Sequence, residues 1–363
     1  MTAYFYCGNI FSLDFAYHDY IVLAEGFKEL CINCYGERNM YRHKIGGEYL
    51  IQYDSSFLVD NADIVFFHFT IFHGGKNTAN KYINAISTKK GRRYVTVFID
   101  AADGLKTFGF EKGPQKCDIV LKSHFNNKYK YPSNFSPWQF GLTNRILEAV
   151  NPLPFSERGK DFLVSFRVKH QLRDYVNNQI KPIVDNYLHW DNSTNDSKND
   201  DLSPEDLFHW KQTGGRHFPQ YYQRLSSSVM CACYGGVFAI PWGNYNKYTA
   251  KISREFNNII KISKWDRVRQ WDSWRLWESW AAGCCVVHID FEKYGCQLPV
   301  MPQNGVHYIG IDIDKLSKFP QILDNSSKIS EIGENGRKFI LEHYTPKAIA
   351  SRQIGRASCR ERV

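Results

Sequence analysis

One stretch of the chain places a basic and an acidic side chain at the start of a short predicted helix. Arg275 and Glu278 are three residues apart, so they share one face of a helix that Asp272 or Ser273 could cap. A helix N-terminus offers N–H groups and a positive dipole to a phosphate, and an arginine adds a fork of donors. Glu278, one turn deeper, could accept hydrogen bonds from sugar hydroxyls. The spacing indicates either a cradle for ribose and diphosphate or an exposed ion pair on a packed helix.

A second basic segment follows a predicted strand at residues 161–166. Residues 167–173 hold four cationic or potentially cationic side chains at the start of the next predicted helix, where they oppose the helix dipole. A strand exit this basic suits a diphosphate, and a solvated basic helix start is the alternative. We expect phosphate contact from Arg167 or Lys169. Gly236, at the exit of a predicted strand that begins at residue 228, is a further candidate for binding the same ligand.

The elements that position such residues alternate between strand and helix. In the first half, strands are predicted at 4–7, 63–69, 94–100 and 117–122, and helices at 15–34, 76–87 and 138–150. This alternation favours a parallel, doubly wound sheet, in which ligands bind beyond the carboxyl ends of the strands.

The polar residues that follow these strands are therefore candidates for the other side of a cleft. They are Gly8, Asn9, His68, His73, Asp100 and Asp103. As a general base we expect Asp100, Asp103 or His73, in that order. For each of them the alternative is structural, because an aspartate after a strand often caps a helix and a strand histidine is often a satisfied core residue.

The length of 363 residues favours two domains. The proline-bounded, polar segment 151–160 is the predicted linker between a first domain at 1–150 and a second at 161–353. Residues 354–363 resemble a translated sequencing adapter, so we expect them not to be native. Removing their three arginines and one glutamate lowers the formal net charge from +9 to +7.

Composition narrows the partners and the compartment. The chain has no Lys/Arg block and no nucleic-acid motif, so nucleic acid is not an expected partner. It shows no signal peptide and no apolar stretch near the roughly 18 residues of a membrane span. Cysteines within apolar runs favour free thiols in a reducing compartment, and the Cys31–Cys34 pair has no second pair at zinc spacing. We therefore expect a cytoplasmic protein without a metal.

Three groups of residues in the second half occur in a distinctive order. They are Tyr221, Leu225, Ser228, Cys231, Cys233 and Gly236; then Ser273, Arg275, Leu276, Glu278, Gly283, Cys284 and Val286; then Ile332, Gly333, Gly336, Tyr344 and Pro346. Their order and spacing resemble the C-terminal half of exostosin-like glycosyltransferases and are similar to the group 1 glycosyltransferases. The sequence departs from these families at Gln270, where group 1 enzymes often have a glutamate, and at Tyr234, where exostosin-like sequences often have proline.

The resemblance implies an α/β protein of GT-B architecture, with two Rossmann-like, doubly wound domains facing across a cleft. The second domain would hold a nucleotide-sugar, with Arg275 near the diphosphate and Glu278 near the ribose, and the first domain would offer the acceptor. Its donor-binding residues are then expected among Arg167, Lys169, Gly236, Ser273, Arg275 and Glu278.

The function expected from these observations is transfer of a sugar from a nucleotide-sugar to a hydroxyl of a glycan or lipid-linked glycan. Such an enzyme needs no cofactor, and it would work in the cytoplasm, with peripheral contact at the inner membrane face as a further expectation. Two alternatives stay open. One is a nucleotide- or sugar-binding module that has lost activity, and the other is a nucleotide-sugar epimerase of GT-B fold.

Overall fold

The computed structural model describes residues 1–7, 17–74, 81–82, 84, 91–102, 114–166, 171–193, 202–213, 215, 218–235, 237–239, 267–316 and 319–360. The strands are β1 (Thr2–Tyr6), β2 (Asn33–Gly36), β3 (Met40–Arg42), β4 (Tyr49–Ile51), β5 (Ile64–His68), β6 (Val95–Asp100), β7 (Ile119–Lys122), β8 (Phe135–Pro137), β9 (Gly159–Leu163), β10 (His189–Asp191), β11 (Ser228–Ala232), β12 (Val237–Ala239), β13 (Arg267–Gln270), β14 (Cys285–Ile289) and β15 (Ile309–Ile311). The α-helices are α1 (His18–Glu29), α2 (Asn144–Ala149), α3 (Gln171–Val184), α4 (Pro204–Gln212), α5 (Pro219–Ser227), α6 (Trp274–Ala281), α7 (Phe291–Tyr294), α8 (Pro320–Leu323), α9 (Ser326–His343) and α10 (Pro346–Arg360).

The first domain is built on a six-stranded sheet with the order β2-β1-β5-β6-β7-β8. All neighbouring strands in it run parallel. Alternate residues of β5 pack on opposite faces: Phe66 joins the core that includes α1, and Phe67 joins a smaller cluster on the other face. A strand buried on both faces explains why this segment is almost continuously apolar.

The second domain repeats this plan with five parallel strands in the order β10-β9-β11-β14-β15. The strand order reverses between β9 and β11 here, and between β1 and β5 in the first sheet. Ligands of doubly wound sheets bind at the carboxyl ends of the strands beside such a reversal. The predicted class, α/β with two doubly wound Rossmann-like domains, is confirmed.

The helix predicted at 15–34 is too long at its C-terminal end. Helix α1 ends at Glu29, Cys31 takes a left-handed conformation with φ of 58°, and the chain then forms β2. Burial alternates along β2, as a strand on the sheet edge requires, and its parallel pairing with β1 outweighs the local helical pattern. Cys31 thus follows the helix, whereas Cys34 lies in β2.

The helix predicted at 138–150 is also wrong in its first half. Only α2 is helical, and the Thr143 hydroxyl caps it by accepting from the Ile146 N–H at 3.3 Å. Residues 138–142 are irregular, because Gly141 has a φ of +73° and the Trp138 indole N–H bonds to Asp19 at 2.5 Å. Tertiary contacts of large aromatic residues decide this segment.

Two helices of the second half of the chain pack on the first domain. Helix α10 lies against α1 so closely that a Cβ on Gly26 would overlap the Pro346 carbonyl oxygen. Helix α4 is joined to β3 because Gln212 Nε2 donates to the Arg42 carbonyl oxygen at 2.8 Å. The domain boundaries drawn from the sequence stay predictions. The non-native origin of residues 354–363 also stays a prediction, and α10 continues into this segment as far as Arg360.

Within the parts of the chain that the structure describes, no helix combines the length and apolarity that a membrane span requires.

Candidate functional site

Helix α6 begins at the carboxyl edge of the second sheet and lies between β13 and β14 in the chain. Its apolar stripe is buried, with Leu276, Trp277 and Trp280 fully covered. Ser273 is the N-cap residue, but its hydroxyl makes no capping bond. Gly283 follows the helix with a φ of +67°, the left-handed conformation in which glycine commonly ends a helix.

Arg275 is directed at the exit of β9, beside the reversal of the strand order. Its guanidinium lies over the Phe166 ring, 4.6 Å from the centroid, and Nη2 donates to the Ser165 carbonyl oxygen. The Nε atom is buried and has no hydrogen-bond partner among the residues that the structure describes. A half-buried guanidinium at this place in the sheet is suited to bind an anion.

A second guanidinium contacts the same aromatic ring. Arg173, on α3, is 4.4 Å from the centroid of the same Phe166 ring. The basic run after β9 was recognised in the sequence, but the candidates chosen from it were Arg167 and Lys169, which lie outside the described residues. Arg173 belongs to that run, four residues after Lys169 in the sequence, so the signal was present.

Glu278 lies one turn deeper than Arg275 and is only 6% exposed. Its carboxylate accepts from the Tyr221 hydroxyl on α5 at 3.1 Å. Burial raises the pKa of Tyr221 well above its usual range, and the negative charge of Glu278 raises it further. Glu278 is thus held as an acceptor within the domain and is not half of an exposed ion pair.

The exit of β11 forms the wall next to α6. Gly235 approaches the backbone of Trp271 so closely that a Cβ would lie 2.5 Å from the Trp271 Cα. The position therefore requires glycine. Tyr234 donates from its hydroxyl to Asn177 Oδ1 and packs beside Phe166, with ring centroids 5.2 Å apart. Gly236, the glycine chosen from the sequence, lies outside the described residues.

The predicted general bases lie on the first domain. Asp100, the last residue of β6, is fully buried, and its carboxylate pairs with Lys122 Nζ at 2.9 Å. Asp103 lies outside the described residues, and His73 is described only as part of the 3-10 helix Phe69–Gly74. The ion pair gives Asp100 a structural role, and the base stays a prediction.

A buried polar cluster occupies the exit of β5. His68 Nε2 lies 3.4 Å from Asp19 Oδ2, and its Nδ1 lies 2.9 Å from the Thr70 hydroxyl. His68 is fully covered, and the Tyr17 ring packs on it with centroids 5.1 Å apart. His68 therefore matches the alternative given for it, a satisfied core histidine.

Among the described residues, no group of three or more His, Cys, Asp or Glu side chains is arranged to hold a metal ion.

No protein-family model and no curated protein matches the sequence. Solved structures share the fold. An α-glucosyltransferase in complex with UDP and a 13-mer DNA containing a central A:G mismatch aligns with a TM-score of 0.56 and 11% identity, over 98% of this chain and 99% of that chain. An α-glucosyltransferase in complex with UDP-glucose and DNA containing an abasic site gives 0.54 and 9%, over 98% and 99%. A glycosyltransferase from Rickettsia africae ESF-5 gives 0.50 and 10%, over 98% and 97%.

At these identities the comparison shows the architecture, which is that of the GT-B fold, over nearly the whole length of the chain.

Proposed function

We propose that this chain is a glycosyltransferase that moves a sugar from a nucleotide-sugar donor to an acceptor hydroxyl. The observation that carries the proposal is Arg275, a half-buried guanidinium stacked on Phe166 at the strand-order reversal of the second sheet. Glu278 adds a fixed acceptor one turn deeper on the same helix. Two solved structures of the same fold contain UDP or UDP-glucose, so we propose a UDP-sugar as the donor.

The chemistry needs the departing diphosphate to be stabilised as its charge develops. Arg275 and Arg173, held over one ring, place two guanidinium groups where this could happen, and Arg167, Lys169 and the start of α6 at Ser273 are further candidates. Hydrogen bonds from cations to phosphate oxygens would lower the barrier without a metal. Glu278 would orient the ribose, and Gly236 would allow close approach of the donor.

For the acceptor we propose a hydroxyl of a glycan or a lipid-linked glycan. The chain has no Lys/Arg block for binding nucleic acid, which argues against DNA even though DNA is present in two of the similar structures. If the reaction inverts the anomeric centre, Asp103 or His73 would be the base, with Asp100 third because it is paired. We propose work in the cytoplasm with peripheral membrane contact.

Thermal-shift screening and calorimetry with UDP, UDP-glucose and other nucleotide-sugars would test the proposal. Binding of a nucleotide diphosphate raises the unfolding temperature by mass action. Incubation of the bound donor with glycans, lipid-linked glycans and duplex DNA then identifies the acceptor. Absence of binding by any nucleotide or nucleotide-sugar would overturn the donor site.

The same assays separate the alternatives. A binding module would show saturable nucleotide binding and no release of nucleotide with any acceptor. An epimerase would convert the donor sugar with no acceptor present. Transfer to duplex DNA alone would replace the proposed acceptor class.

A further inference from the structure

The segment that leads into α6 is held by the first domain through its aspartate. Asp272 is 3% exposed, and its Oδ2 accepts from the Phe140 N–H at 3.0 Å. Its Oδ1 accepts from the Trp277 indole N–H on α6 at 2.7 Å. One carboxylate therefore links the backbone after β8 of the first domain to the helix that carries Arg275.

The same segment is held a second time by His124. This residue follows β7, is 3% exposed and has a left-handed φ of 54°. Its Nδ1 lies 3.2 Å from the Trp271 backbone nitrogen and 3.1 Å from that of Asp272, so Nδ1 accepts both N–H groups. An Nδ1 that accepts leaves the ring proton on Nε2, and the imidazole is neutral.

Aromatic packing continues this contact to the first residue of α6. The Trp274 ring lies 3.8 Å from the His18 ring and 5.6 Å from the Phe140 ring, centroid to centroid. The exits of two neighbouring first-domain strands thus hold residues 271–274 by directed hydrogen bonds and by packing. Directed bonds fix orientation in a way that apolar contact alone does not.

We propose that His124 and Asp272 are positioning residues that set the orientation of α6, and with it Arg275 and Glu278, relative to the first domain. The inference rests on the proposed function, because the effect it predicts is on binding of a nucleotide diphosphate. Both side chains are only 3% exposed, so we assign them no contact with the donor. Each acts through the backbone of the segment that starts the helix.

The charge on Asp272 makes this arrangement sensitive to pH. Burial raises the pKa of the Asp272 carboxyl to about 7, and the charge of Asp19 adds to the rise. The titratable groups around the segment are Asp19, His18, His124, His288, Tyr344 and Cys296. The carboxylate accepts two N–H groups better than the acid does, so nucleotide affinity should fall as the pH drops below about 7.

Variants of His124 separate the hydrogen bond from the volume of the side chain. His124→Asn keeps an acceptor near the position of Nδ1 and tolerates a left-handed φ. His124→Leu keeps bulk and removes the acceptor. Asp272→Asn replaces one accepting oxygen by a donor. Trp277→Phe is the matched control, because it removes a bond to Asp272 that lies within the second domain only.

The readouts are affinity for UDP as a function of pH and amide hydrogen exchange, followed by mass spectrometry, over residues 138–141 and 271–273. We expect His124→Leu and Asp272→Asn to speed exchange there and to weaken UDP binding about tenfold, while His124→Asn stays near wild type. Asp272→Asn should also flatten the pH dependence. Trp277→Phe should leave residues 138–141 protected.

Faster exchange with unchanged UDP affinity in His124→Leu and Asp272→Asn would overturn the inference while the proposed function stands. Equal losses in His124→Asn and His124→Leu would also overturn it, because only volume would then matter. A wild-type chain that binds no nucleotide overturns the proposed function and the inference together. The two failures are distinguishable, because UDP binding by the wild-type chain tests the proposed function directly. Hydrogen exchange of the contact between residues 138–141 and 271–273 can be measured without any ligand.

Discussion

The carboxyl edges of the two sheets treat charge in opposite ways. At the edge of the second sheet, Arg275 is half-buried, and no carboxylate among the described residues forms an ion pair with it. At the edge of the first sheet, Asp100 and Lys122 are 0% and 5% exposed and pair at 2.9 Å. The first arrangement leaves a cation available to an outside anion, whereas the second satisfies its charges internally. Whether a charged residue after a strand is paired within the protein or available to a ligand therefore depends on the side chains of the neighbouring strand.

The difference follows from the cost of moving charge out of water. A buried ion must be paired, because its desolvation is only offset by a close opposite charge with good geometry. A half-exposed guanidinium keeps part of its hydration, and a ring such as Phe166 can stack against it. Removing charges at the two edges should therefore give different kinds of loss, one in stability and one in binding.

The largest effect is expected at the carboxyl edge of the first sheet, which we call the closed edge because Asp100 and Lys122 pair there. Lys122→Met leaves the Asp100 carboxylate buried without its cation and should lower the free energy of unfolding by about 3–5 kcal/mol. Urea denaturation measures this loss. The double variant Lys122→Met with Asp100→Leu removes both charges and should recover part of the stability. A loss below about 1 kcal/mol in the single variant would show that Asp100 has another source of stabilisation.

At the carboxyl edge of the second sheet, which contains Arg275 and which we call the open edge, we expect substitutions to weaken UDP binding with little loss of stability. Arg275→Ala should weaken UDP binding by roughly 1.5–3 kcal/mol, because a charge-assisted hydrogen bond to phosphate is lost. Arg275→Lys keeps the positive charge but loses the two-pronged donor geometry of the guanidinium. Its UDP affinity should therefore lie between those of the wild type and Arg275→Ala. Calorimetry measures the UDP affinity. Urea denaturation of the ligand-free proteins is the control, because it shows whether the variants keep the stability of the wild type. Unchanged affinity in Arg275→Ala would remove the proposed phosphate role.

Glu25 extends the comparison to a buried carboxyl whose charge is poorly compensated. Burial raises its pKa to about 8 from an ordinary 4.5, while the Asn144 N–H opposes the rise. The unfolded chain then loses its proton before the folded chain does, so stability should fall as the pH rises from about 4.5 to about 8.

Glu25→Gln should reduce this slope, although Asp272 keeps part of it, and should make the protein about 1–2 kcal/mol more stable at pH 8. Urea denaturation across that pH range measures it. Asp54→Asn is a control, because Asp54 is exposed and the Ser56 hydroxyl lowers its pKa instead. A Glu25→Gln slope equal to the wild-type slope would contradict the raised pKa.

The smallest effect is expected deeper in the open edge. Glu278→Gln keeps an accepting oxygen and loses the charge, so UDP affinity should fall by about 1 kcal/mol. Tyr221→Phe removes only the hydroxyl that donates to Glu278. If both variants lose affinity equally, Glu278 acts mainly through Tyr221. An unchanged affinity in Glu278→Gln would assign the residue to packing alone.

The open edge could be predicted from the sequence because its residues are close along the chain. Arg275 and Glu278 follow from helical spacing, and Gly283 from the way helices end. The closed edge could not, because Asp100 and Lys122 meet only through the register of two strands. The pair formed by His124 and Asp272 depends in the same way on how two domains meet, which no local pattern encodes.

The two wrong helices have the same cause. Local apolar spacing at 15–34 and 138–150 resembles a helix, yet sheet pairing and aromatic packing decide both segments. Propensity is a weak signal where long-range contacts compete with it.

Helix α10 has a consequence for how the protein is made. It packs on α1, yet the ribosome synthesises the second domain between the two helices. The face of α1 that contains Gly26 therefore stays uncovered while that domain emerges and folds. The first domain leaves the ribosome first, yet this face of α1 is covered only after the second domain has been synthesised.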